Sequence, residues 1–170
     1  SSVSMIGRLV TVDLSLHPVL NWEWKIKNQV TSSDLLVKGK DDRAVAVYVT
    51  FPYTLNTASL FERLKRSLMD IWRGSDAPSR GISYVWADSG VIGEVIPSPY
   101  SGESNVMIIA RNGKDPVNRW VTERFDVVAD YKRVFGFAPT VAVHLMISAD
   151  SDDTGINNQA FIKSLIFTKD

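Results

Sequence analysis

Hydrophobic and polar residues alternate along most of this chain with a period of two, which is the pattern of half-buried β-strands. In residues 20–26, Leu20, Trp22, Trp24 and Ile26 alternate with asparagine, glutamate and lysine. Further strands are predicted at residues 6–14, 43–51, 82–87, 105–111, 120–125, 140–148 and 160–168. Polar turns separate these short runs, so we predict an all-β fold, an antiparallel β-sandwich of jelly-roll type.

Two segments follow the helical period instead. Residues 57–73 place Leu60, Leu64 and Leu68 on one stripe, which predicts an amphipathic helix. Residues 126–136 predict a shorter helix that ends at a glycine. Strands and helices do not alternate regularly, so a parallel α/β sheet is not expected.

Length and composition narrow the possible functions. The 170 residues suggest one domain spanning residues 1–170. The chain has no cysteine, which excludes disulfides, zinc–thiolate sites and cysteine nucleophiles. Its 19 basic and 19 acidic residues balance, so we expect no nucleic-acid partner. No apolar run approaches the roughly 20 residues of a membrane-spanning helix, and the first residues do not resemble a signal peptide.

The sequence Asp-Ser-Asp-Asp-Thr-Gly at residues 150–155 is the best candidate for a metal site. Asp150, Asp152 and Thr154 place oxygen ligands at the first, third and fifth positions, and Gly155 follows, as at the start of a calcium loop. The twelfth position is Phe161 rather than glutamate, which excludes an EF-hand. The alternative is a connecting turn without a metal, because turns rich in aspartate and glycine are common between strands.

A second acidic turn holds Asp41 and Asp42, directly before the strand predicted at residues 43–51. Their oxygens can satisfy turn amides without any ligand. They add to a calcium site only if the fold brings them near Asp150 or Asp152.

The aromatic residues of the strands are candidates for binding a ligand. Trp22 and Trp24 share one face of their strand, and Trp86 shares a face with Tyr84. Such stripes can form a platform on which sugar rings stack. The alternative is that they fill the core, which the polar residues on the opposite face of residues 20–26 favour.

Arginines on or beside the strands are candidates for binding an anion such as a uronic acid. Arg111 and Arg124 are the two that we select as ligand-binding candidates, with Arg119 beside them. The alternative is an ion pair with a neighbouring acid, such as Glu123 or Asp115.

Catalytic signatures are scarce, and we predict no catalytic residue. There is no Gly-x-Ser-x-Gly sequence. His17 precedes a proline and His144 lies in an apolar strand, so a catalytic triad is unsupported. Several glutamates could act as an acid–base pair, but nothing in the sequence selects two of them.

Several ordered motifs together resemble one family over nearly the whole chain. They are Leu20-Asn21-Trp22-Glu23-Trp24-Lys25, Asp41-Asp42, Val47-Tyr48-Val49, Tyr84-Val85-Trp86-Ala87, Trp120-Val121-Thr122-Glu123-Arg124, Asp130-Tyr131, Phe135-Gly136 and Asp150-Ser151-Asp152-Asp153-Thr154. The family is the bacterial domain-of-unknown-function 3047 family.

The resemblance implies an envelope location, periplasmic or secreted, since members often carry an export signal. It also implies sequence before residues 1–14, and hence a sandwich that lacks one or two N-terminal strands in this chain. The architecture is similar to galactose-binding-like jelly rolls, in which calcium near a sheet edge and a glycan on a concave face are frequent.

We therefore predict a non-catalytic module that binds a carbohydrate or another polar ligand, with calcium as its cofactor. One alternative is a hydrolase or lyase that acts on envelope polysaccharide with carboxylates from Glu123, Asp41 or Asp150. Another is a domain that binds other proteins.

Overall fold

The structure is a computed structural model that describes residues 3–52 and 80–169. Within these residues, nine strands and one helix are present. In chain order they are β1 (Val3–Asp13), β2 (Val19–Ile26), β3 (Arg43–Phe51), β4 (Arg80–Trp86), β5 (Val95–Ser98), β6 (Gly102–Arg111), β7 (Val121–Asp126), α1 (Val127–Phe135), β8 (Val141–Asp150) and β9 (Ala160–Thr168). The helix predicted at residues 57–73 lies outside the described residues.

The strands form two sheets that share one core, which confirms the predicted all-β sandwich. The larger sheet has six strands in the order β1-β8-β3-β4-β6-β5, and the smaller has three in the order β7-β2-β9. Both sheets contribute buried side chains to the main hydrophobic cluster. The layers therefore follow the usual rule that each sheet buries one face against a partner.

One pair of neighbours departs from the predicted antiparallel arrangement, because β4 and β6 pair in parallel. The connection after β4 leads to β5 at the sheet edge, and β6 then returns between them, antiparallel to β5. The sequence pattern did not predict β5. It has only four residues, one of them Pro97, which suits a strand at an edge.

The short helix was predicted from its end signals, and it is confirmed. Asp126 is the N-cap, and its side chain accepts the Ala129 N–H at 2.9 Å. Gly136 ends the helix with φ 86°, a left-handed conformation that glycine adopts without steric cost, and its N–H donates to Lys132. Helix α1 thus begins and ends where its capping residues require.

Large aromatic side chains from both sheets meet in the core. Trp22 lies 5.2 Å from Trp24 and 5.5 Å from Tyr84, and Trp24 lies 5.6 Å from Trp86, measured between ring centres. These distances are those of favourable edge and tilted ring pairs. The alternating tryptophans of β2 are therefore the contacts that join the two sheets.

A hydrogen bond and a ring contact fix the helix to the larger sheet. The Tyr84 hydroxyl donates to the Asp130 carboxylate at 3.0 Å. Tyr131 packs against Phe51 with ring centres 4.4 Å apart. Burial and the nearby Asp130 charge raise the pKa of Tyr84 well above its usual value, so this hydroxyl stays a donor.

Candidate functional site

The two acidic turns meet at one end of the larger sheet. Strands β3 and β8 are antiparallel neighbours, and their register pairs Arg43 with Asp150. The start of β3 therefore lies beside the end of β8, and the turns that flank these two residues come together. The condition set by the sequence, that Asp41 and Asp42 approach the turn at residues 150–155, is met.

Asp42 joins the two turns directly. It is fully buried, and its carboxylate accepts the backbone N–H of Thr154 at 2.6 Å and that of Asp153 at 3.4 Å. Burial alone would raise the pKa of Asp42, but hydrogen bonds from Thr154 and Asp153 outweigh it and lower the pKa. Asp42 is thus held as a carboxylate at the centre of the site.

Asp152 and Asp153 bring two exposed carboxylates to the buried one. Each of Asp42, Asp152 and Asp153 has an oxygen within 4.8 Å of the others. Desolvation and the charges of Asp152 and Asp42 raise the pKa of Asp153. The three carboxylates repel one another, and a cation between them would remove that repulsion.

Asp150 lies at the margin of this group. Burial and the neighbouring carboxylate of Asp152 raise its pKa to about 7, although Arg43 opposes the shift. An Arg43 guanidinium nitrogen lies 3.6 Å from the Asp150 carboxylate. Asp150 therefore faces a fixed cation of the protein on one side and the acidic cluster on the other.

Asp41 is not one of the three clustered carboxylates. Its side chain pairs with Arg43 at 3.2 Å and accepts a hydrogen bond from the Tyr100 hydroxyl at 3.0 Å. That hydrogen bond raises the pKa of Tyr100. Asp41 thus supports Arg43 rather than adding an oxygen to the cluster.

Arg43 is the organising residue that sequence reasoning missed. Besides its two acidic partners it donates to the Tyr48 hydroxyl at 2.7 Å, and this hydroxyl lies 2.9 Å from that of Ser148. Its position directly after two aspartates was visible in the sequence. Its pairing with Asp150 was not, because that contact depends on which strands become neighbours.

The turn after β8 has the sharp geometry that its glycine suggested. Gly155 has φ 68°, and its N–H donates to the Ser151 carbonyl at 3.2 Å. Thr154 contributes its backbone N–H to Asp42. Of the five predicted metal residues, Asp42 and Asp152 belong to the carboxylate cluster, whereas Asp41, Asp150 and Thr154 flank it, and Asp153 was not predicted.

A cavity of about 320 Å³ opens beside the cluster. Its lining includes Asp153 and Thr154 from one turn and Gly39 and Lys40 from the segment before the other. Thr31, Ser32 and Ile156 complete the wall. The cavity therefore offers hydroxyls, an ammonium group and the Asp153 carboxylate to a small ligand.

The three tryptophans proposed as ligand-binding residues lie in the core instead. Trp22 is 1% exposed, and Trp24 and Trp86 are fully buried. Their rings pack against one another between the sheets, which leaves no face open to a sugar. The platform prediction is therefore corrected, and the alternative of a buried aromatic stripe describes the structure.

Arg111 makes the ion pairs that formed its alternative interpretation. Its guanidinium donates to Glu123 at 2.6 Å and to Asp115 at 3.2 Å. Trp24 Nε1 donates to the same Glu123 carboxylate at 2.8 Å. Arg111 thus pairs with the buried acid Glu123, whereas Arg124 is exposed on β7.

The remaining candidates for chemistry have structural partners. His144 Nδ1 lies 3.0 Å from the Thr50 hydroxyl on the neighbouring strand. Glu123 is 5% exposed and fully engaged, so it is not available to a substrate. In the described ranges 3–52 and 80–169, no helix is long and apolar enough to cross a membrane.

The fold and the cluster define a class: an all-β sandwich with a carboxylate-rich corner where two turns meet. The chain matches the model of the family described as "Protein of unknown function (DUF3047)" over residues 1–166. The protein therefore belongs to the DUF3047 family, which confirms the resemblance seen in its motifs. Searches of curated proteins and of solved structures gave no match.

Proposed function

We propose that the protein is a non-catalytic binding module of the bacterial envelope that holds calcium between its two acidic turns. The polar ligand, a carbohydrate, binds in the adjoining cavity. The observation that carries this proposal is the convergence of oxygens from Asp42, Asp152 and Asp153 within 4.8 Å. The envelope location rests on the family resemblance.

The chemistry of the cluster suits calcium better than a transition metal. All of its side-chain donors are carboxylate oxygens, which are hard ligands, and the protein has no cysteine. Calcium takes roughly six to eight oxygen ligands, more than three carboxylates supply in single contacts. Open positions on the ion would accept water or the hydroxyls of a bound sugar.

The cavity beside the cluster supports a small polyhydroxylated ligand. Its volume of about 320 Å³ is at the lower end of ordinary ligand pockets. Asp153 lines the cavity and belongs to the cluster, and Thr154 lines the cavity and donates its N–H to Asp42. A ligand in the cavity would therefore lie next to the ion.

The partners of the candidate acids support binding rather than catalysis. Glu123 is buried against Arg111, and Asp41 is held by Arg43 and Tyr100. Asp150 also faces Arg43. Each of these carboxylates already has an arginine or tyrosine partner within the protein, which favours a structural role over that of an acid–base pair.

Thermal unfolding with and without calcium tests the metal. Calcium at about 100 times its Kd stabilises a protein by about 2.7 kcal/mol through mass action, so the Tm should rise with calcium and fall with chelator. Asp152→Asn should abolish most of this shift, since the residue is exposed and belongs to the cluster. Glu103→Gln, an exposed acid on β6, is the matched control. No Tm shift at millimolar calcium would overturn the metal assignment.

Isothermal titration against neutral glycans tests the ligand. Heat of binding that appears in calcium and disappears in chelator would support the proposal. If no glycan of the panel binds while calcium still raises the Tm, the calcium site stands and the proposed carbohydrate ligand is wrong.

A further inference from the structure

The outer face of the three-stranded sheet carries an exposed tryptophan among lysines. Trp120 directly precedes β7 and is 42% exposed. Lys25 Nζ lies 5.2 Å and Lys163 Nζ 4.5 Å from the centre of its ring. These are cation–π distances, so the ammonium groups are held beside the ring rather than free in solution.

The register of the sheet explains why these residues meet. Strand β2 buries Trp24 and turns Lys25 outward, and Lys25 pairs across the sheet with Phe161 of β9. Trp24 pairs with Val121, which puts Trp120 beside Lys25 on the other side. Lys25 Nζ is 4.9 Å from the Phe161 ring centre, so this ammonium lies between two aromatic rings.

The outer face is locally basic although the chain as a whole is neutral. Its basic side chains are Lys25, Lys27, Arg124 and Lys163. Its acids are Glu23, which lies 3.3 Å from Lys163 Nζ, and Asp126 at the end of β7. Four basic and two acidic side chains share this face, whereas the molecule has a formal net charge of zero. An anionic ligand is the charge complement of this surface.

We propose that this face, centred on Trp120, Lys25 and Lys163, binds an acidic oligosaccharide of uronic acid residues. The exposed side of the indole would take the C–H face of a sugar ring, and the lysines would pair with its carboxylates. The combination of a flat apolar ring with fixed cations matches a ligand that is both ring-shaped and charged.

A nucleic acid is the competing polyanion, and the charge of the molecule disfavours it. Nucleic-acid affinity depends strongly on neutralising many phosphates, which a chain with 19 basic and 19 acidic residues is poorly suited to do. A uronate carries one charge per sugar and exposes an apolar ring face. The four basic side chains and the exposed Trp120 of this face therefore match a uronate chain better than a nucleic acid.

This surface is independent of the proposed calcium site. The calcium cluster lies where β3 and β8 of the larger sheet meet, whereas Trp120 and its lysines lie on the smaller sheet. Binding at the outer face needs no metal, so a chelator separates the two.

The test is titration of the protein with trigalacturonic acid in the presence of chelator. Binding is measured by Trp fluorescence and by calorimetry. Wild type should bind the acid form but not its methyl ester, which has the same rings without charge. Trp120→Ala and Lys163→Ala should each weaken binding about tenfold. Lys132→Ala, an exposed lysine on α1, is the matched control and should bind as wild type.

Three results would overturn the proposal. They are no binding by wild type, equal binding of acid and ester, and unchanged affinity in both Trp120→Ala and Lys163→Ala. A single-stranded oligonucleotide that binds more tightly, with the same loss in the two variants, would assign the surface to nucleic acid. Lys163 is exposed, so that variant keeps the test valid if Trp120→Ala folds poorly.

Discussion

At the scale of single residues, burial and pairing compete at Glu123. Burial raises its pKa above the usual 4.5, although hydrogen bonds from Arg111 and Trp24 oppose the shift. The carboxylate is 5% exposed, so its loss of hydration outweighs its partners. The contribution of Glu123 to the free energy of unfolding therefore depends on pH.

The stability difference between wild type and Glu123→Gln should fall as pH rises from about 4.5. A raised pKa means that the folded state binds the proton more tightly than the unfolded state does. The contribution of Glu123 is then greatest below pH 4.5 and declines as pH rises through the folded pKa. Denaturant unfolding of both proteins between pH 3.5 and 7 measures the difference.

Glu103→Gln removes an exposed carboxylate of β6 and controls for the general effect of losing a charge. A wild-type advantage that instead grows with pH would show that the Arg111 pair dominates over burial.

The sequence predicted which face of a strand a residue occupies better than it predicted the neighbours of that residue. Alternation in residues 20–26 identified Trp22 and Trp24 as sharing one face, and the charged residues opposite favoured the core. Trp120 was placed in a predicted strand but was not selected as a binding residue, because its setting depends on the lysines of two other strands. Neighbours of this kind are set by strand pairing, which a single sequence does not show.

At the scale of elements, end signals were the most reliable guide. The limits of α1 follow from Asp126 and Gly136, and β3 occupies residues 43–51 as predicted. The edge strand β5 was not predicted because four residues with a proline have little periodicity. Local chemistry thus defines where elements begin and end. Whether a short strand such as β5 forms depends on tertiary packing.

Removing the N-cap of α1 should destabilise the protein modestly. In Asp126→Ala the Ala129 N–H loses its acceptor, and such a substitution costs about 1 kcal/mol. Urea unfolding measures the change. Lys132→Ala, an exposed position on the same helix, should stay within about 0.5 kcal/mol of wild type. A cap variant as stable as this control would mean that solvent replaces the cap fully.

At the scale of the whole molecule, the acidic site exists because distant parts of the chain become neighbours. Asp42 and Asp153 are 111 residues apart, and only the pairing of β3 with β8 brings them together. The spacing of Asp150, Asp152 and Thr154 pointed to the right turn. Distinguishing Asp42 from Asp41, and adding Asp153, needed the strand order of the larger sheet.

Hydrogen exchange should distinguish the centre of the larger sheet from its edge. Strand β3 is buried between β4 and β8, whereas β1 is paired with β8 and keeps Ile6 and Leu9 more than two-thirds exposed. Amides of β1 should exchange roughly 100-fold faster than those of β3. Mass spectrometry of peptides from the two strands measures the ratio. Equal protection would mean that β1 is covered in solution by another molecule.

The pairing of β1 with β8 has a consequence for synthesis on the ribosome. Strand β1 leaves the ribosome before its partner β8, which begins only at Val141. At about 5–20 residues per second, this delay is on the order of ten seconds. During that interval β1 lacks the strand that it pairs with among residues 3–52 and 80–169, and nascent copies on one messenger lie close together. Chaperone contact with β1 during this interval should therefore raise the yield of folded protein.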